Sequence, residues 1–222
     1  MKKYLFILIT ITLTQPIFAQ GVMTPELLWS LGRVSGAFLY NNGNSICYNV
    51  TTYNISTGKR ANFISSIGID GKNITSVSQG KPGDNPILLS DNGILYTSDG
   101  KLASTTSVPK VPEQAENLLF NAKTGNAIWS QSVKIDATAS DLYPEYATTT
   151  ARIYDDLMYR HWTQWADGTY NHIFVGVKQA DGTYKATDIM AKEPYDSPTK
   201  PFGGSDDYAW HPDGQMLAYV AT

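Results

Sequence analysis

Short apolar runs broken by glycine-containing turns limit this chain's folding more than any other feature. Asn42-Gly43, Thr57-Gly58-Lys59 and Asp70-Gly71-Lys72 each lie between strand-like runs. Such turns join hairpins because glycine enters the left-handed backbone region without a Cβ penalty. The spacing predicts four consecutive strands near residues 37–40, 45–54, 61–69 and 73–77, laid out as a meander. A content of 14 Tyr and 5 Trp suits that reading, since aromatic side chains favour a pleated, half-buried surface.

The theme returns downstream. Asn92-Gly93, Thr124-Gly125 and Asp213-Gly214 are each preceded by an apolar strand and followed by a second strand bearing an aromatic residue. From Gly43 the intervals between equivalent glycines are 50, 32 and 89 residues. A unit of about 40–50 residues with one deletion and one long insertion accounts for them, and four-stranded units of that period are the mark of β-propeller blades. The expected fold class is therefore all-β, a partial β-propeller of about three blades plus the start of a fourth. A sandwich of hairpins explains the strands equally well but not the recurrence.

The N-terminus reads as a targeting segment over residues 1–19. Lys2 and Lys3 precede an apolar stretch from Tyr4 to Leu13, too short to span a bilayer, and Pro16 and Ala19 precede a cleavage point before Gln20. Removing Lys2 and Lys3 takes the net charge from −3 to −5. That mild acidity offers no footprint for nucleic acid, and no later segment is apolar enough to cross a membrane. Cys47 is the single cysteine, so stability rests on packing, with Cys47 itself a small buried residue in a strand. Thr24, Pro25 and Glu26 open a short helix as N-cap, first residue and first-turn acid. Asn49, Asn54 and Asn73 fit the glycosylation pattern and are read as turn and strand residues.

The insertion falls in the third unit. Ile153, Leu157, Met158, Trp162 and Trp165 recur at helical spacing, which predicts a helix near 150–165 with Asp156 and Arg160 paired four residues apart. "ADGTY" occurs at 166–170 and again at 180–184, each time as a turn at a strand end.

With these segments in view the chain resembles the dipeptidyl peptidase 5 and acylaminoacyl peptidase groups of the prolyl oligopeptidase family. "LYPEYATTTARIYDDLMYRHWTQWADGTYNHIFVG" looks like their third-blade insertion, and "EPYDSPTKPFGGSDDYAWHPDGQMLAYV" like the segment after it. Trp210-His211-Pro212-Asp213-Gly214 departs from the family's Trp-Ser-Pro-Asp-Gly only at His211. The likeness is closest over 141–222, looser over 24–77 and slight over 78–117. It implies an N-terminal propeller over 20–222 and, beyond it, an α/β-hydrolase domain carrying a Ser-Asp-His triad, which is absent here. The hairpin at 205–222 is then the opening of a fourth blade, with Tyr208, Trp210, Met216, Ala218 and Val220 on one face.

No serine has glycine two positions away on both sides, as a nucleophile elbow requires; at Ser205, Asp207 stands where the second glycine belongs. No catalytic residue is therefore assigned, and the chain alone is expected to be inactive. His161, His172 and His211 lack metal-ligand spacing, so no metal or cofactor is expected. His211 is read as a solvated turn residue and His172 as a packed, hydrogen-bonded one.

The substrate-facing candidates lie in the insertion: Asp155, Asp156, Tyr159, Arg160, His161, Trp162 and Trp165. The resemblance implies that such insertions face the cavity between the two domains, where carboxylates could hold a peptide's α-amino group and rings could stack along its side chains. The competing reading has the apolar residues plugging the helix onto its blade. The expected function is the propeller fragment of a secreted serine exopeptidase of the bacterial periplasm, gating and binding peptide substrate. The alternative is a stand-alone propeller-like periplasmic module that binds peptide or glycan.

Overall fold

The computed structural model describes residues 22–77, 86–89, 93–98, 101–146 and 148–222. The targeting segment and Asn92 of the Asn92-Gly93 turn lie outside them. Helix α1 (Pro25–Ser30) starts as expected, with Thr24 Oγ1 accepting the Leu27 amide at 3.1 Å. Strands β1 (Arg33–Tyr40), β2 (Ser45–Asn54), β3 (Lys59–Gly68) and β4 (Thr75–Ser76) follow as an antiparallel meander in chain order. Its turns stand where the glycine pattern put them. Asn41, Asn42 and Gly43 all have positive φ, and Asn54 Oδ1 accepts the Thr57 amide at 3.0 Å ahead of Gly58.

A second sheet holds β5 (Ile87–Leu88), β6 (Ile94–Ser98) and β7 (Lys101–Ser104), three antiparallel strands among the described residues. The third begins with β8 (Glu116–Phe120) and β9 (Ala127–Lys134). The chain then leaves the sheet for residues 135–168 before returning as β12 (Thr169–Lys178) and β13 (Tyr184–Asp188), which complete the order β8-β9-β12-β13. Last comes a hairpin of β14 (Tyr208–Trp210) and β15 (Leu217–Tyr219).

These layers pack face to face in chain order. Cys47 and Ile64 of the first sheet meet Ile94 and Tyr96 of the second. Trp129, Ala127 and Phe174 on one face of the third sheet meet Ile87 of the second. On the opposite face Ile128 and Ile173 pack with Met190, Tyr208, Trp210 and Leu217, so the hairpin covers that side. The alternation is the period-2 rule applied across a register of Trp129 with Phe174 and Ile128 with Val175. Among the described residues the protein is thus mostly β with few helices, and its sheets do not close on themselves.

Two expectations are corrected. No helix covers 150–165; among the described residues the insertion's helices are the one-turn α2 (Ala139–Leu142) and a 3-10 turn at Pro144–Tyr146. A short helix is held chiefly by burying an apolar face, and Ile153, Leu157, Met158 and Trp162 are all exposed, Leu157 at 84%. Asp156 and Arg160 consequently do not share a helix face.

The second correction concerns the last hairpin. Register pairs Tyr208 with Tyr219 and Trp210 with Leu217, so these four share a face, while Met216 and Val220 are exposed. The turn at His211 to Gly214 offsets the strands by one residue from the sequence-based grouping. The end of the hairpin is also tied to the connection before it: Asp196 and Thr222 exchange backbone hydrogen bonds of 2.8 and 3.2 Å.

Candidate functional site

The excursion between β9 and β12 leaves the sheet through a narrow neck. Ile135 and Asp136 both donate backbone N–H groups to the Gly168 carbonyl, at 2.8 and 3.1 Å. Gly168 has φ +76°, and a Cβ there would lie 2.2 Å from the Asp136 carbonyl oxygen, so only glycine fits. Tyr170 donates to Asp136 at 2.6 Å, and that bond pushes its hydroxyl pKa up to about 12. Lys134 pairs with Asp141 on the outgoing side and, with Thr138, holds that carboxyl well below the usual carboxylate range.

Beyond the neck the chain forms a small hairpin, β10 (Arg160–His161) with β11 (Gln164–Trp165). Arg160 lies directly across from Trp165, and its guanidinium carbon sits 5.0 Å from the Trp165 ring centroid. The Arg152 guanidinium carbon lies 5.4 Å from the same ring. Tyr154 and Tyr159 stack on Trp165 at 6.2 and 6.0 Å. Two backbone contacts hold this group: Tyr154 Oη donates to the Ala166 carbonyl at 2.8 Å, and the Ala166 amide donates to the Tyr159 carbonyl at 2.9 Å.

Tyr159 and Trp165 form a wall between two open clefts. One, of about 700 Å³, is lined further by Thr150, Arg152 and Tyr154. The other, of about 610 Å³, is lined further by Leu157, Met158, Arg160 and Trp162. The first is mixed aromatic and cationic, and the second joins two aliphatic side chains, three aromatic ones and one guanidinium.

Of the seven residues proposed from sequence, Tyr159, Arg160 and Trp165 come together. Trp162 and His161 stand at the hairpin tip, where Trp162 takes φ +49° and meets Phe202 edge-on at 5.0 Å. Asp155 and Asp156 are exposed and line neither cleft. Sequence reasoning missed Thr150, Arg152, Tyr154 and Phe202. Arg152 and Tyr154 are two apart, which places them on one side of an extended chain; the helical reading hid that signal.

The other polar residues singled out in the sequence have structural surroundings. His172 is fully buried, with Nδ1 2.8 Å from Asp188 Oδ2 and Nε2 3.0 Å from the Glu193 carbonyl. His211 lies half exposed in its turn, 2.8 Å from Asp213. Around Ser205, the Asp207 carboxylate accepts the Thr199 amide and hydroxyl at 2.7 and 2.8 Å, closing the loop ahead of β14. Among the described residues no three His, Cys, Asp or Glu side chains are grouped to hold a metal, and no helix is long and apolar enough to cross a membrane.

No family model matches this sequence. The chain is 28% identical over 212 residues to dipeptidyl-peptidase 5 of Porphyromonas gingivalis, covering 90% of this chain and 31% of that protein. To dipeptidyl-peptidase 5 of Porphyromonas endodontalis it is 24% identical, covering 99% of this chain and 36% of that protein. To the Aspergillus fumigatus protein of that name it is 26% identical, covering 89% and 31%. It thus spans about a third of the length of the curated relatives it matches.

Among solved structures it is similar to the acylaminoacyl peptidase of Pyrococcus horikoshii, with TM-score 0.46 and 9% identity over 73% of this chain and 26% of the other. An acylaminoacyl peptidase in complex with Z-Gly-Gly-Phe-chloromethyl ketone gives TM-score 0.46 and 11% identity over 86% and 28%.

Proposed function

Because this sequence is similar to dipeptidyl-peptidase 5 over about nine tenths of its length, we propose that it is the N-terminal propeller part of an exported serine exopeptidase. The match to several such peptidases, over about a third of each, is the observation that carries the reading. In this reading residues 1–19 direct export to the periplasm, residues 20–222 supply the first propeller blades, and the hydrolase chemistry belongs to the remaining length. Sheets that stack in chain order, two of them four-stranded meanders, support the blade assignment. The excursion at 135–168 supports a role in substrate handling, since it carries both clefts on a thin neck at one end of the two central strands of the third sheet. Its task is to gate and bind the peptide, with aromatic and cationic side chains rather than carboxylates lining the clefts.

The test is to follow the reading frame past the codon for Thr222 and express its whole product. A Gly-x-Ser-x-Gly hydrolase domain and turnover of dipeptidyl or acylaminoacyl reporters, blocked by a serine-directed fluorophosphonate, are expected. A frame that ends without such a domain would overturn the proposal and favour the stand-alone binding module.

A further inference from the structure

The geometry points to a carboxylate-binding site on the excursion: the two clefts divided by Trp165 take a short apolar peptide that carries a carboxylate. This deepens the peptide-binding role proposed above and rests on it. Arg152 and Arg160 hold their guanidinium carbons 5.4 and 5.0 Å from the Trp165 ring centroid. A guanidinium packed over an aromatic ring keeps its N–H edges free for another partner, and its planar fork matches a carboxylate in two parallel hydrogen bonds.

Neither guanidinium has a hydrogen bond or ion pair with any described residue, whereas Lys134, His172, Lys200 and His211 all pair with a carboxylate. The nearby acids do not serve: Asp155 and Asp156 line neither cleft. Thr150 adds a hydroxyl beside Arg152. Across the Trp165 wall, Leu157, Met158 and Trp162 offer an apolar surface for a neighbouring side chain. The volumes, about 700 and 610 Å³, lie within the range of small-ligand sites. Carboxylates on the protein would select a ligand's amino group; two unpaired arginines select its acid.

The acid could be a C-terminal carboxylate or an Asp or Glu side chain. Three probes separate these on the full chain by calorimetry at low ionic strength: N-acetyl-Gly-Phe, N-acetyl-Gly-Phe-amide and N-acetyl-Glu-Phe-amide. At least one acid is expected to bind about tenfold more tightly than the neutral amide, and the tighter of the two names the source. Arg152→Gln should weaken the acid about five- to tenfold while leaving the amide unchanged, and Arg160→Gln, across the wall, should weaken it less, effects discounted for solvent exposure. Trp165→Leu should weaken all three. Circular dichroism checks that the variants stay folded. Equal binding of acid and amide, or acid binding indifferent to both arginine changes, would overturn the carboxylate assignment and leave the peptide-binding role standing. Failure of all three probes to bind would overturn both.

Discussion

Trp129 and Trp165 both stack on a neighbouring ring at 6.0 Å, one on Phe174 and the other on Tyr159, yet one is core and the other surface. Trp129 sits in β9, directly across from Phe174 in β12, with sheet on both sides and the second sheet over its face. Gly176 makes room for it: a Cβ there would come within 2.4 Å of the indole ring. Trp165 stands on a hairpin of two paired residues per strand, with a cation rather than another layer beside its ring. Ring stacking alone therefore does not mark a core. Burial depends on how many layers the backbone ladder brings around the ring, and the excursion brings only one. Its aromatic area contributes little to stability and remains available to a ligand.

This contrast can be broken most directly at Trp129. Trp129→Ala should cost about 4 kcal/mol, since a fully buried indole leaves a cavity that a sheet cannot collapse around. Urea unfolding monitored by circular dichroism measures it, and a loss below about 1 kcal/mol would remove the third sheet from the core.

His172→Ala should follow at about 3 kcal/mol. It strips the Asp188 carboxylate and the Glu193 carbonyl of their buried partner, so the connection after β13 should loosen first. Hydrogen exchange at residues 189–197 should rise more than in β2 and β3; uniform change would mean that His172 supports the sheet and not the connection.

Cys47 sharpens the comparison from the first sheet. Burial pushes its thiol up to about 11 from an ordinary 9.0, so the unfolded chain loses this proton at lower pH than the folded one. The associated stability is complete below about pH 9, falls between 9 and 11 and levels off above, by on the order of 2 kcal/mol. Cys47→Ala should lack this component; parallel pH profiles of the two proteins would refute it.

The smallest effect belongs to Trp165→Ala, which should shift unfolding by about 0.5 kcal/mol because the ring is already 41% exposed. A loss as large as that of Trp129→Ala would make the excursion part of the core.

Much of the scaffold was legible because its signals are local. "ADGTY" builds the same turn twice: Asp167 accepts the amide and hydroxyl of Thr169 at 3.0 and 2.6 Å, and Asp181 those of Thr183 at 2.9 and 2.7 Å. Gly168 and Gly182 follow at φ +76° and +80°. Such a turn satisfies its hydrogen bonds within a few residues, so any fold containing the words must spell it this way. The candidate site was legible in composition, since Tyr159, Arg160 and Trp165 do converge, but not in its chemistry. Helical spacing at Ile153, Leu157 and Met158 suggested a face to bury, and no layer of the protein is there to bury it.

By itself, then, the sequence determined the order of the first four strands and the turns between them, the cap at Thr24 and the burial of Cys47. Tertiary structure alone decided which side chains meet across long separations: Arg152 with Trp165, Trp162 with Phe202, His172 with Asp188, and the Tyr208 hydroxyl with the Asn117 carbonyl. The physical reason is one of range. A turn or cap is settled by the conformational preferences of three or four adjacent residues. The partner of a side chain on the excursion depends on where the neck at Gly168 returns the chain to β12 and on how the connection to β14 is packed against the third sheet.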